Sequence, residues 1–145
     1  MIVENRRARF EYHILESFEA GLVLTGAEVK AMRAGGVSLS EAYARFRDGE
    51  AWLLGMHIPP YKQGSFSNAE PNRPRKLLLH KEEIARLQSR VGEKGLTIVP
   101  LRLYFTRGIA KVQLGVARGK KLWDKRADAA KRDVEREIAA HVRRS

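Results

Sequence analysis

Leu96-Thr97-Ile98-Val99-Pro100-Leu101-Arg102-Leu103-Tyr104-Phe105 and Ile109-Ala110-Lys111-Val112-Gln113-Leu114-Gly115-Val116-Ala117 are the two segments that decide the fold. Both are rich in β-branched, aromatic and leucine side chains, and Arg107-Gly108 between them supplies the turn. They read as two long strands folded back on each other. Pro100 has no N–H to give to a ladder, so it belongs at an edge or a bulge.

Working outward, a second hairpin is written around Asp48-Gly49, with strands over Tyr43 to Arg47 and Ala51 to Ile58. Both central residues of a type I′ turn need positive φ, which Asp-Gly supplies. Earlier still, Phe10, Tyr12 and Ile14 alternate with Glu11 and His13, the period of a half-buried strand over Arg9 to Leu15. Glu19-Ala20-Gly21 reads as a turn and Leu22-Val23-Leu24 as a resumed strand. Thr25-Gly26-Ala27-Glu28 is a capping box opening a short helix that runs to Ala34, with Val29 and Met32 inward and Lys30 and Arg33 outward. Gly35-Gly36 stops it.

The segment from Pro59 to Pro74 is a long loop rich in Pro, Gly, Ser and Asn, carrying Tyr61 and Phe66 among Lys62, Arg73 and Arg75. Lys76 to His80 leads into a helix with Ile84, Leu87 and Val91 on one face and Glu82 and Glu83 in its first turn, where they complement the dipole. Gly92 ends it. Short strands joined by hairpins with helices inserted between them predict a mainly β chain. The expected architecture is a small antiparallel barrel of the oligonucleotide-binding (OB) type, with inserted short helices.

The chain has 145 residues, a hydrophobic fraction of 43% and a net charge of +11. One barrel over residues 1–118 and a basic tail over residues 119–145, helical or disordered, are the expected units. From Arg118 onward ten Lys/Arg face five Asp/Glu, so this end carries +5 and the remainder +6. That excess points to nucleic acid before a membrane surface or an acidic protein. There is no apolar run of 18 residues, no apolar signal core at the N-terminus and no cysteine, which together predict a cytoplasmic protein without disulfides.

In the tail, Trp123, Ala127, Ala130, Val134 and Ile138 make a thin apolar stripe at helical spacing, with Lys125, Arg132, Arg136 and Arg143 on another face. Two readings stand: a segment that orders against a polyanion, or an ordinary terminal helix with a solvated charged face. Trp123 is either a plug against the barrel or a stacking platform for an unpaired base. Glu28 is either the third helical position of its capping box or an acceptor for base N–H groups beside Lys30 and Arg33. Asn5-Arg6-Arg7-Ala8-Arg9 is a basic arm. No phosphate-binding glycine loop, nucleophile elbow or metal-spaced histidine set is present, so neither an enzyme nor a cofactor or metal site is expected.

A resemblance covers nearly the whole chain. Glu19-Ala20-Gly21-Leu22, Thr25 to Lys30, Arg33-Ala34-Gly35, Tyr43-Ala44-Arg45, Arg75 to His80, Val99-Pro100-Leu101, Gly119-Lys120-Lys121, Asp124-Lys125-Arg126 and Arg136-Glu137 occur in order. In these the chain resembles the SsrA-binding (small protein B) family, bacterial partners of transfer-messenger RNA. The resemblance implies a monomeric, non-enzymatic adaptor that binds the tRNA-like domain of that RNA and carries it to stalled ribosomes, the tail entering the empty mRNA channel by the small-subunit decoding site. It implies an RNA-binding set of Asn5, Arg7, Glu28, Lys30, Arg33, Lys120 and Lys121. The implied ribosome-binding set is Trp123, Asp124, Lys125, Arg126, Lys131, Arg132 and Arg136. Trp123 departs from the His or Tyr usual there, and Met32 from the usual Leu. The rival reading is a general OB-fold translation factor that binds rRNA or single-stranded RNA.

Overall fold

The computed structural model describes residues 3–60, 70–92 and 95–120. Ten elements follow in chain order: β1 (Val3–Glu4), α1 (Arg6–Glu11), β2 (Tyr12–Leu22), α2 (Gly26–Ala34), β3 (Tyr43–Arg47), β4 (Glu50–Leu54), β5 (Arg75–Leu78), α3 (Lys81–Val91), β6 (Leu96–Thr106) and β7 (Ile109–Gly119). The strands form one antiparallel sheet in the order β1-β6-β7-β2-β5-β4-β3. β3, at the end of that order, also lies against β6, so the sheet curls round on itself as a small barrel. The expected fold class is present.

The two hairpins form where their turns are written. Asp48 and Gly49 have φ of 53° and 74°, and Arg107 and Gly108 have 52° and 78°. Pro100 sits at a bulge: it faces Leu114, while Arg102 already faces Gln113, so two residues of β6 oppose one step of β7. The bulge changes which residues point outward. Before it Ile98 is in the core, and after it Leu103 is, leaving Arg102 and Tyr104 on the outer face.

The core holds Leu53, Met56, Leu77, Leu87, Ile98, Leu103, Val112, Leu114 and Val116, each completely or almost completely buried. α3 contributes Ile84 and Leu87, and full burial of each such side chain stabilises the fold by about 1.5–3 kcal/mol. A smaller cluster of Ala8, Val99, Leu101 and Ala117 lies under α1 on the outer side of β6 and β7. α1 thus covers part of that outer surface, and among the described residues no helix lies over the Arg102–Tyr104 end of it.

Three local expectations are corrected. Arg9 to Glu11 are helical, because Asn5 caps α1 by accepting from the Ala8 N–H and holds the basic arm against the barrel. Glu19-Ala20-Gly21 is not a turn; β2 runs straight through it, paired with Gln113, Val112 and Lys111. Gly21 is there for space, since a Cβ would stand 3.2 Å from Leu78 Cβ on the neighbouring strand. The lead-in to the second predicted helix is itself a strand, Arg75 to Leu78 between β2 and β4, and that helix begins at Lys81 with Glu82 and Glu83 in its first turn as expected. β4 ends at Leu54, because Gly55 turns the chain at φ 76°, where an added Cβ would meet the Glu41 carbonyl oxygen at 2.4 Å. The last pair of β2 and β7 is Tyr12 opposite Gly119.

Candidate nucleic-acid interface

α2 begins as the sequence predicts. Thr25 Oγ1 accepts from the Glu28 N–H at 3.1 Å, and Glu28 Oε1 accepts from the Thr25 N–H at 3.0 Å. The rest of the Glu28 carboxylate is claimed by two arginines distant in sequence. Arg75 donates through Nε at 2.8 Å and Nη2 at 2.5 Å, and its Nη1 reaches the Met56 carbonyl at 2.7 Å. Arg73 donates through Nε at 3.2 Å and through Nη2. The side chain of Arg75 is 0% exposed and that of Glu28 4%. Burial pushes the Glu28 carboxyl up, but hydrogen bonds from Arg73, the Thr25 N–H and Arg75 outweigh it and leave the group below the usual carboxylate range. The cluster ties α2 to β5 and to the end of the loop before it.

Glu28 therefore presents no open acceptor: both of its oxygens are filled from inside the protein. Asn5 is likewise interior. Its Nδ2 donates to the Leu39 carbonyl at 3.1 Å and the Pro100 carbonyl at 2.8 Å, and its Oδ1 caps α1. These two residues fix the parts that carry the exposed cations. Lys30 and Arg33 stand on the open side of α2, and the Arg33 guanidinium lies 5.0 Å from the centre of the Phe105 ring. Arg7 is exposed and pairs with Glu11 at 2.9 Å and with Glu41. Lys120 follows β7, its N–H bonded to the Glu11 carbonyl at 2.8 Å and its Nζ to the Arg9 carbonyl at 3.3 Å. Lys121 and the tail set, Trp123 through Arg136, lie outside the described residues.

The structure adds a surface that the sequence reading missed. On the outer face left open by α1, Tyr104 is opposite Lys111, Lys111 opposite Gly21, and Gly21 opposite Leu78. Alongside this row runs another, Arg102 opposite Gln113 and Gln113 opposite Glu19. Arg102 lies 5.3 Å from the centre of the Tyr104 ring. Tyr104 Oη donates to Glu19, and burial followed by this bond pushes the phenol up to about 12. Leu78 is 54% exposed in the same row. A cation over an aromatic ring, a second cation in Lys111, and an exposed leucine packed over Gly21 make a platform that can hold phosphates and receive sugar or base faces. The signal was available in principle: Arg102 and Tyr104 share a face only once the Pro100 bulge is placed.

Among the described residues no group of three His, Asp or Glu is arranged to hold a metal ion, and no helix is long and apolar enough to cross a membrane. A barrel with a basic, aromatic outer face and a cation-bearing helix at its side defines a nucleic-acid-binding protein.

Comparison with known proteins narrows the class. The family model described as SmpB protein matches residues 2–144. The SsrA-binding protein of Desulforudis audaxviator is 58% identical over 142 residues, covering 98% of this chain and 93% of its own. That of Salinispora tropica is 58% identical over 139 residues, covering 96% and 87%. A chain in a solved structure described as "tmRNA-SmpB: a journey to the center of the bacterial ribosome" is 57% identical, with a TM-score of 0.70 over 83% of this chain and 85% of that one. The chain belongs to the SmpB family.

Proposed function

We propose that this protein is the adaptor that binds the tRNA-like domain of transfer-messenger RNA and delivers it to stalled ribosomes for trans-translation. The observation that carries the reading is end-to-end family membership together with 57% identity to a chain of a tmRNA-SmpB structure. The barrel over residues 1–118 is the RNA-binding unit. Residues 119–145 are the basic tail that enters the empty mRNA channel, with Trp123, Asp124, Lys125, Arg126, Lys131, Arg132 and Arg136 facing the ribosome. The protein acts in the cytoplasm, as a monomer, and performs no chemistry of its own.

Lys30, Arg33, Arg7, Lys120 and Lys121 contact RNA phosphates, a reading supported by the exposure of Arg7, Lys30 and Arg33. Asn5 and Glu28 serve the interface from beneath, by fixing α1 and α2. Structured RNA is read mainly through phosphates, 2′-OH groups and splayed bases, and an open basic face with aromatic rings suits all three. The test is the RNA that co-purifies with the tagged protein from a bacterium lacking its own copy. Transfer-messenger RNA should dominate; bulk rRNA fragments would favour a general translation factor.

A further inference from the structure

The β3–β4 hairpin carries a second aromatic site on the same outer face of the sheet. Arg45 on β3 is directly opposite Trp52 on β4, and Trp52 is directly opposite Lys76 on β5. Directly opposed side chains on one face stand roughly 4.5–5.5 Å apart at Cβ, so one indole lies between two cations across three strands. Trp52 lines an open groove of about 660 Å³ with Arg45, Phe46, Arg47, Leu54 and Pro74, and the carboxylates of Asp48 and Glu50 stand in the same lining. That volume lies within the range that holds small organic ligands.

The groove's polar groups are unevenly committed. Glu50 pairs at 3.3 Å with Lys76 beyond the groove, both half-buried, and Arg47 is 3.9 Å from Asp48, a highly exposed and therefore weakly coupled pair. Arg45 makes no ion pair among the described residues, and no cation there is stacked on Trp52, whereas Arg33 and Arg102 already lie over Phe105 and Tyr104. The indole and the Arg45 charge are thus both available to a ligand. Strand register sets the groove beside the Tyr104–Lys111 row: Trp52 is opposite Lys76, Lys76 is two residues before Leu78 on β5, and Leu78 faces Gly21 in that row.

We infer that this groove is a second RNA subsite, which takes an unpaired base stacked on Trp52 with Arg45 on its flanking phosphate. The inference rests on the RNA-binding reading above but concerns a different ligand form, single-stranded RNA. Base–aromatic stacking tolerates any base, so the subsite should hold an unpaired segment with little sequence preference.

The chain has two tryptophans, so in a Trp123→Phe background Trp52 is the only indole. The unstructured hexanucleotide A6 should quench its emission saturably. By anisotropy of labelled A6, Trp52→Leu should weaken binding about 5- to 100-fold, Trp52→Phe should restore most of it, and Arg45→Gln should weaken it several-fold. The tRNA-like domain, measured separately, should bind Trp52→Leu within about twofold of the parent, and circular dichroism should show that variant folded. Unchanged A6 affinity in Trp52→Leu, or no quenching, would overturn the inference while leaving the adaptor reading intact. If instead the tRNA-like domain quenches Trp52 and loses affinity with Trp52→Leu, the groove belongs to the structured-RNA interface and the single-strand subsite falls.

Discussion

Arg75 and Glu28 meet at 2.8 Å, 47 residues apart in the chain, with neither side chain more than 4% exposed. A carboxylate that opens a helix is also the counter-ion of an arginine buried in the next layer. Removing one partner of such a pair strands the other charge away from water.

Glu28→Gln should therefore be costly even though glutamine supports a capping box as well as glutamate does. Denaturant unfolding should show a loss of about 3 kcal/mol or more, the scale for breaking a buried ion pair. Capping alone would make the same substitution nearly silent. Because the Glu28 carboxyl lies below its ordinary range in the fold, its contribution is fully present above the unfolded value of 4.5. It is lost only as pH falls through the lower folded value. Parent stability should accordingly drop in acid, and the Gln variant should show a smaller drop over the same window.

Asn5 offers a test of the same kind at the other helix. Asn5→Asp keeps an acceptor for the Ala8 N–H but removes both donors to the Leu39 and Pro100 carbonyls and sets a charge against them. Stability should fall by about 2–3 kcal/mol, because two buried carbonyls lose their partners. A neutral outcome in thermal melts would mean that α1 is not held by this side chain.

Tyr104 gives a spectroscopic signature of the outer face. Its phenol is pushed up to about 12 by burial and by the bond to Glu19. A group whose folded pKa is raised contributes stability that is complete below the unfolded value, here 10, and lost as pH rises through about 12. Phenolate absorbance should show one tyrosine titrating near 12 in the parent, and Glu19→Gln should move that step down. An unmoved step would separate Tyr104 from Glu19.

The hairpin turns, the capping box and the Pro100 bulge were legible because each is local chemistry: a φ, a reciprocal pair, a missing N–H. α1 was not, since Phe10, Tyr12 and Ile14 alternate as a strand would and the decisive cap, Asn5, gains its other bonds from Leu39 and Pro100. Gly21 misled for a related reason, because a glycine needed for close approach to Leu78 looks in sequence like one needed for a turn. Leu77-Leu78-Leu79 is too short a run to separate strand from helix by period. The exposed cations Lys30 and Arg33 were readable from helical spacing. The Arg102–Tyr104–Lys111 platform and the Arg45–Trp52–Lys76 row were not, since strand register decides which side chains become neighbours.

Cutting the chain after Trp123 removes seven Lys/Arg but no described strand. The truncated protein should melt within a few degrees of the parent and still bind the tRNA-like domain, while peptide tagging on stalled ribosomes fails. Unfolding on truncation would show that the tail is part of the core; intact tagging would remove its role in the channel.

The most direct measurement is the affinity of the full-length protein for the isolated tRNA-like domain, with poly-U as competitor, across a salt series. A clear preference for the structured RNA is expected. The log–log salt slope should be roughly −3 to −5, as for about four to six neutralised phosphates, and shallower when Arg102 and Lys111 are both changed to Gln. Equal competition by poly-U, or a slope near zero, would contradict electrostatic docking of a tRNA-like RNA on this face.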